Sequence, residues 1–230
     1  MLQIRKSHER GQGKFDWLES YHTFSFANYY DPRYMHFSHL RVINEDFIGT
    51  QRGFGMHPHD NMEILTYVLK GRVAHKDSMG NETEVKAGEF QIMSAGSGIF
   101  HSEVNPSADE ILHLYQIWIM PNQRNIEPRY EQGHFTNQEG GTLILSPHAD
   151  EGSFKIYQDM KLWRYQFSAN KTTQIELNPD RSFWLQMVKG EMKINEHILS
   201  TGDAMGIKAE NRLHIQTLNT EVEFLLFDLV

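Results

Sequence analysis

The sequence predicts an all-β protein, and three observations support this. Apolar and polar residues alternate in short runs, as expected for strands with one buried face. Gly, Pro, Asn and Asp separate these runs at turn-like intervals. No amphipathic helical pattern exceeds about ten residues, the short end of ordinary helix lengths. We therefore expect strands joined by tight turns.

Taken in chain order, five runs predict strands most clearly: EILTYVL (63–69), EFQIM (89–93), ILHLYQIWIM (111–120), FWLQMV (183–188) and EFLLFDL (223–229). Turn signals separate the first of them, at Leu69–Gly71, Ser78–Glu82, Lys86–Glu89 and Ser94–Gly98. We expect an all-β chain built as two packed modules.

A polar connector and a weak internal repeat divide the chain into two β modules. The stretch from Pro121 to Gly152 is polar and rich in turn residues. In the repeat, 66–93 resembles 185–207, so that Gly71 and Gly88 correspond to Gly190 and Gly202. We predict an N-terminal domain at 1–135 and a C-terminal domain at 136–230.

Composition restricts the classes of function. A chain of 230 residues can bury a proper core, and its net charge of −8 comes from dispersed acidic residues. The chain lacks the basic stripe that would indicate direct nucleic-acid binding. It also lacks an apolar run that would indicate a signal peptide or a membrane span. Because the chain has no cysteine, a metal would need His, Asp or Glu ligands, and a cytoplasmic protein is the economical interpretation.

Two segments carry the candidate chemistry. GFGMHPHDNMEIL places His57 and His59 two residues apart, although one such pair arises by chance in a chain with 13 histidines. The second segment, GEFQIMSAGSGIFHSEVN, repeats the spacing with His101 and Glu103 after another glycine-rich turn. Residues two apart on a strand project from the same face, so these four side chains can converge on one ion.

The chemistry of this donor set favours a transition metal. Three imidazoles and one carboxylate suit Fe(II), Mn, Ni, Cu or Zn, whereas Ca and Mg prefer oxygen-only cages. Four protein ligands leave one or two positions open on an octahedral ion, which is typical of a catalytic site.

These motifs resemble those of the cupin superfamily, and in particular the pirin family of bicupins. The pirin-like features are HTFSFANYYDP (22–32), LRVINEDFI, HPH, HSEVN and LYQIWI. The resemblance spans the chain and is strongest from Trp17 to Met120. It implies two jelly-roll β-barrels packed face to face, with one metal, usually iron, in the N-terminal barrel. The pirin pattern carries over to His57, His59, His101 and Glu103.

The fourth ligand has an alternative. A general cupin would use the carboxylate that follows His-x-His, here Glu63, whereas the pirin pattern uses Glu103. We prefer Glu103, because its alternation with His101 puts both on one face. Glu63 would then support the site from outside or face solvent.

Counting from the repeat glycines places Glu176, Asn178 and Ile215 at the ligand positions of the second module, so we expect a C-terminal barrel without metal. His197 and His214 are interpreted as ordinary surface residues. His22 either lies near the pocket or, as we prefer, packs or makes a surface hydrogen bond. Asn105 is expected to cap or support the site rather than to bind the metal. Gln116 points either into the core or at a ligand, with neither favoured.

The resemblance implies a dioxygenase of the quercetin 2,3-dioxygenase type, which opens flavonols such as quercetin with O₂ and releases carbon monoxide. Glu103 would accept the substrate's proton, and aromatic side chains would enclose the planar rings. The alternative is a metal-binding regulatory protein that acts through a protein partner and has no physiological turnover.

Overall fold

A computed structural model describes all residues, 1–230, as 22 strands and two short 3₁₀ helices. The strands are β1 Leu2–Arg5, β2 Gly11–Phe15, β3 Leu18–His22, β4 Leu40–Ile48, β5 Gly53–His59, β6 Glu63–Lys70, β7 Arg72–Asp77, β8 Glu82–Lys86, β9 Glu89–Ser94, β10 Ile99–Val104, β11 Leu112–Ile119, β12 Arg129–His134, β13 Gly140–Ser146, β14 Phe154–Lys155, β15 Met160–Phe167, β16 Thr172–Glu176, β17 Ser182–Lys189, β18 Glu191–Ile194, β19 His197–Ser200, β20 Ala204–Lys208, β21 Arg212–Thr217 and β22 Val222–Leu229. The 3₁₀ helices are Ser7–Glu9 and Asp150–Gly152. Neither has the length and apolar character that crossing a bilayer requires.

The five predicted strands are all present, as β6, β9, β11, β17 and β22, so the all-β prediction is confirmed. The chain forms two compact units. The N-terminal barrel comprises Gly11–Phe135 and Ile156–Gln158. The C-terminal barrel comprises Met1–Arg10, Thr136–Lys155 and Asp159–Val230.

The first ten residues lie in the C-terminal barrel, whereas the sequence analysis assigned them to the N-terminal domain. β1 pairs antiparallel with β20, from Leu2 opposite Ile207 to Arg5 opposite Ala204. The Lys6 ammonium then contacts the buried Asp203 carboxylate at 2.8 Å. Pairing with a strand some 200 residues away in sequence leaves no local periodicity, which is why counting along the chain missed it.

Two antiparallel sheets form the N-terminal barrel, in the orders β12-β9-β6-β11-β4-β3-β2 and β5-β10-β7-β8. The inward face of β6 changes character along its length. Ile64 joins a small apolar cluster and Val68 joins a larger one with Val73 and Leu114, while the buried Thr66 lies between them. The barrel interior is therefore apolar at both ends and polar in the middle.

The C-terminal barrel also has two sheets, β1-β20-β17-β22-β15-β13-β14 and β16-β21-β18-β19, which are antiparallel except for the parallel pair β13-β14. One continuous apolar cluster fills it, drawing side chains from both sheets, among them Leu185, Met205, Leu213 and Leu226.

The internal repeat is present in the backbone. Gly71 and Gly190 have φ of 78° and 85°, and Gly88 and Gly202 have φ of 87° and 83°. Glycine adopts this left-handed region without a steric penalty. The N–H of Gly88 donates to the carbonyl of Val68 at 2.8 Å, and the N–H of Gly202 donates to Met187, the equivalent residue, at 3.1 Å.

Asp203 should stabilise the C-terminal barrel by anchoring the first residues. Its carboxylate accepts hydrogen bonds from Lys6 and from the backbone N–H groups of Ser7 and Ser200. Asp203→Ala is expected to lower the free energy of unfolding by about 2 kcal/mol, because buried donors lose their acceptor. Urea unfolding measures this change. Asp180→Ala, at an exposed turn, is the control, and equal unfolding midpoints for both variants would contradict the assignment.

Candidate metal centre

Three of the predicted ligands converge on neighbouring strands. β5 pairs with β10, with His57 opposite His101 and His59 opposite Ile99. Pro58, which cannot donate to the ladder, is tolerated because β5 is an edge strand. The ring centroids of His57, His59 and His101 lie 4.5 to 5.0 Å apart. One ring nitrogen from each lies within 4.8 Å of the others, as a shared ion requires.

The nitrogen atoms of this group fit a bound cation. His101 is 1% exposed, and neither of its ring nitrogens has a hydrogen-bond partner. Leaving such atoms unpaired in a barrel interior is costly. His57 donates from Nδ1 to the carbonyl of Gly55 at 2.7 Å, which directs Nε2 toward a ligand role. A transition metal would use lone pairs that the protein itself leaves unused.

The protonation state of these groups also suits metal binding. Burial, reinforced by the imidazoles of His101 and His57, lowers the pKa of His59 to about 4. Burial and the neighbouring His57 and His75 lower the pKa of His101 to about 3. At neutral pH both rings are therefore uncharged, and no proton has to leave before a metal binds.

Glu103 lies beside His101 rather than at the centre of the three imidazoles. The register of β10 against β5 shifts between His101 and Glu103, and Glu103 faces His75 on β7. A carboxylate oxygen of Glu103 lies within 4.8 Å of nitrogen atoms of His75 and His101. Its Oε1 accepts hydrogen bonds from Thr66 at 2.9 Å and Gln91 at 2.6 Å, and its Oε2 accepts one from Gln116 at 2.6 Å.

Glu63, the alternative fourth ligand, lies on the opposite face of β6 from Thr66. It is 1% exposed, so it does not face solvent. Its Oε2 accepts hydrogen bonds from the Ser94 hydroxyl at 2.9 Å and from the N–H of Tyr157 at 3.4 Å. Burial raises the pKa of Glu63. The structure thus separates Glu63 from the histidine group.

A cavity of about 500 Å³ opens beside the histidines, within the range of small-molecule sites. Its aromatic wall includes Phe26 and Trp118, whose rings meet edge to face at 5.5 Å. Its polar wall is formed by inward residues of β3 and β4: Ser20, His22, Asn44 and Asp46. Gln116 and Glu103 also line the cavity. The histidines of the candidate centre, His57, His59 and His101, also line it.

Comparison with known proteins identifies the family. The pirin family matches residues 3–119, and the quercetinase C-terminal cupin domain matches residues 143–229. A protein of Pasteurella multocida (strain Pm70) is 56% identical over 234 residues, covering 100% of both chains. The quercetin 2,3-dioxygenase of Escherichia coli (strain K12) is 54% identical over 229 residues, covering 100% of this chain and 99% of its own. The chain belongs to the pirin family.

A solved structure agrees with this assignment. Bacterial pirin YhhW from Escherichia coli, crystallised in complex with nickel(II), matches with a TM-score of 0.96 and 53% identity, covering 100% of this chain and 99% of that chain. The resemblance seen in the sequence and the two-domain cupin fold are therefore confirmed.

The C-terminal barrel of this pirin holds apolar residues where the N-terminal barrel holds donors. Ile175 pairs with Leu213 as His57 pairs with His101, and Ile194 pairs with Ile215 as His75 pairs with Glu103. The equivalents predicted by counting from the glycines were therefore wrong. Counting gave Glu176 as the equivalent of His57, whereas the strand pairing gives Ile175. Counting gave Ile215 as the equivalent of His101, whereas the strand pairing makes Ile215 the equivalent of Glu103. The positions of Thr66, Gln91 and Gln116 likewise correspond to apolar residues, Leu185, Met205 and Leu226.

His75, a residue that the sequence motifs do not single out, is 1% exposed and adjoins the candidate centre. Its Nε2 lies 3.0 Å from Asp77 Oδ2, and Tyr130 stacks on its ring at 4.4 Å. Its Nδ1 has no hydrogen-bond partner. The sequence signal for His75 was the alternation of Val73, His75 and Asp77 on one face of β7. His75 thereby lies on the same face as Glu103 of the paired strand β10.

The structure also shows the contacts of Asn105, Gln116 and His22. Asn105 caps backbone carbonyl groups, as expected, because its Nδ2 donates to the carbonyls of Ile48 and Glu110. Gln116, for which neither role was favoured, bonds to Glu103. His22 lines the cavity, the less favoured of its two interpretations, and also hydrogen-bonds from Nδ1 to Asn44 Oδ1 at 2.9 Å.

Asp46 is the second carboxyl group of the cavity. It is 3% exposed, and burial raises its pKa to about 7, opposed by a hydrogen bond from Ser20 and reinforced by the carboxylates of Glu103 and Glu45. The Ser20 hydroxyl donates to Oδ1. At neutral pH the protonated and ionised forms therefore coexist.

The raised pKa predicts how stability depends on pH. Between pH 4 and 7 the folded state keeps a proton that Asp46 releases in the unfolded chain, where its pKa has the ordinary value of 3.8. The stabilisation is complete below that value and is lost as the pH rises through about 7. In metal-stripped protein, Asp46→Asn, which cannot ionise, should gain roughly 2–4 kcal/mol relative to the unmodified chain between pH 4 and 8. Urea unfolding at both pH values checks this, and a pH-independent difference would contradict it.

Proposed function

We propose that this pirin is a metal-dependent dioxygenase that cleaves flavonols such as quercetin with O₂. Its centre would be held by His57, His59, His101 and Glu103. The observation that carries the proposal is the buried His101, whose ring nitrogens both lack a protein partner beside two further imidazoles and an aromatic cavity. The quercetin 2,3-dioxygenase name of the Escherichia coli relative supports the substrate class.

The donor set indicates which cofactor the residues would hold. When bound, a divalent transition metal would supply Lewis acidity and open coordination positions. The resemblance favours Fe(II), with Mn, Ni, Cu and Zn as alternatives, and the related YhhW was crystallised with nickel(II). His57, His59 and His101 would each present one ring nitrogen, and Glu103, whose carboxylate lies beside His101, would complete the set.

The cavity would bind a planar aromatic ligand. Phe26, Phe54 and Trp118 line it together with Leu18 and Ile64, so flat rings can replace water against apolar surface. Trp118 also packs edge to face on His59, with ring centroids 4.9 Å apart. Enclosure between these side chains would direct one edge of the ligand toward the histidines.

Glu103 would accept the proton of the substrate hydroxyl. Thr66, Gln91 and Gln116 hold both of its oxygens, so its orientation is fixed before the ligand arrives. The proton would pass from the hydroxyl oxygen to a carboxylate oxygen, and the amides would keep that oxygen in place. This pre-organisation avoids rearrangement when charge moves.

Removing a candidate ligand should abolish turnover. His57→Ala and His101→Ala are each expected to reduce quercetin consumption by at least about 100-fold, since even groups outside the metal's own ligands commonly cost 10–100-fold. Loss of quercetin absorbance, O₂ uptake and carbon monoxide release measure the reaction. His214→Ala, an exposed histidine of the C-terminal barrel, is the matched control.

Full activity of His101→Ala would refute the site. A metal-loaded wild type without turnover would refute the reaction while leaving the metal centre standing, and would favour the regulatory alternative.

Metal content should follow the N-terminal histidines alone. We expect about one metal atom per chain, because the C-terminal barrel offers apolar side chains at the corresponding positions. Elemental analysis of freshly purified protein is expected to show this, with a large loss in His57→Ala and no loss in His214→Ala. Two atoms per chain would contradict the assignment.

A further inference from the structure

Asp46 lies in the cavity without a role in the candidate metal centre. It belongs to β4, in the seven-stranded sheet of the N-terminal barrel, opposite Ser20 on β3 and Leu114 on β11. The histidines lie on β5 and β10 of the four-stranded sheet. Both sheets contribute to the cavity wall, so the carboxyl group and the histidines approach the same space from different sides.

The two carboxyl groups that line the cavity differ in their hydrogen bonding. Both oxygens of Glu103 accept hydrogen bonds from the protein. In Asp46, Oδ1 accepts the Ser20 hydroxyl, and no protein group donates to Oδ2. A carboxyl group that is 3% exposed and lines the cavity thus has one oxygen without a protein donor.

The fold gains little from this arrangement. Burying a carboxyl group with an unpaired oxygen costs stability, and a single hydroxyl donor offsets only part of that cost. His22 and Asn44, on the same wall, bond to each other through His22 Nδ1 and Asn44 Oδ1, and no hydrogen bond joins either of them to Asp46. A donor carried by the ligand would complete the hydrogen bonding of Asp46.

We propose that Asp46 Oδ2 accepts a hydrogen bond from a ring hydroxyl of the ligand, and that Asp46 thereby selects polyhydroxylated planar rings. A ligand that reaches both walls carries oxygen substituents at two separate positions, one toward the histidines and one toward Asp46. This inference rests on the proposed function for the planar character of the ligand. It assigns a specificity-determining residue that the metal centre does not include.

The test is a binding experiment on the metal-loaded full chain without O₂. Quercetin and a set of flavonoids that each lack one of its hydroxyl groups are titrated into wild type, Asp46→Ala and Glu45→Gln, and tryptophan fluorescence gives each Kd. Glu45→Gln is the matched control, because Glu45 is the preceding residue of β4 and contacts His113 outside the cavity at 2.9 Å. Thermal unfolding verifies that each variant is folded.

For one analogue, wild type is expected to bind about tenfold more weakly than it binds quercetin, the upper end of the usual effect of losing one hydrogen bond. Asp46→Ala should bind quercetin equally weakly and show no further loss with that analogue. Glu45→Gln should match wild type. The inference would be overturned if Asp46→Ala bound quercetin as tightly as wild type does. It would also be overturned if, for every analogue, the loss of affinity from the substitution and the loss from the missing hydroxyl group were additive.

These outcomes are separable from the fate of the proposed function. Binding with the expected pattern but without turnover in air would reject the dioxygenase and keep the role of Asp46. Turnover with an unaffected Asp46→Ala would do the reverse. A wild type that does not bind quercetin would overturn both.

Discussion

A polar atom buried inside a β-barrel away from water needs a protein partner, because nothing else replaces the hydrogen bonds that it loses on folding. In the N-terminal barrel, Glu103 meets this requirement with three side-chain donors on three strands. Tyr130 in turn donates to Gln91 at 2.9 Å and so fixes which way that amide points. The carboxylate cannot change its orientation without breaking several hydrogen bonds at once. The position of His101, two residues earlier on the same strand, follows from this anchoring.

The two barrels show what the requirement costs. They share strand order and turn glycines, yet one interior is apolar throughout and the other carries a polar layer between apolar ends. The counterparts of Thr66, Gln91, Gln116 and Glu103 are Leu185, Met205, Leu226 and Ile215, whose side chains carry no nitrogen or oxygen donor or acceptor. The fold itself therefore does not need the polar layer. Its presence in one barrel only is best explained by a function in that barrel.

The sequence was informative wherever local rules decide the structure. Alternation identified the strands, and glycine marked the tight turns. The i, i+2 spacing put His57 and His59 on one face of their strand, and His101 lies close to both. It was least informative where distant strands pair. The place of β1 beside β20, the approach of His75 to Glu103 and the inward position of His22 all depend on register across the sheets. A shift of one residue in that register changes which face a side chain takes, which is why the predicted equivalents in the C-terminal barrel were displaced.

His101 and Asp46 can be understood together, since each is a buried group that the protein leaves incompletely bonded. A chain selected for stability alone would pair or replace such groups, because each raises the free energy of the folded state. Both ring nitrogens of the imidazole lack a protein partner, and the carboxyl group lacks a donor on one oxygen. A cation would bind one nitrogen of the imidazole, and a hydroxyl group would donate to the carboxyl oxygen. The unused bonding capacity of the cavity thus specifies two different chemical groups, and a hydroxylated planar ligand beside a metal ion supplies both.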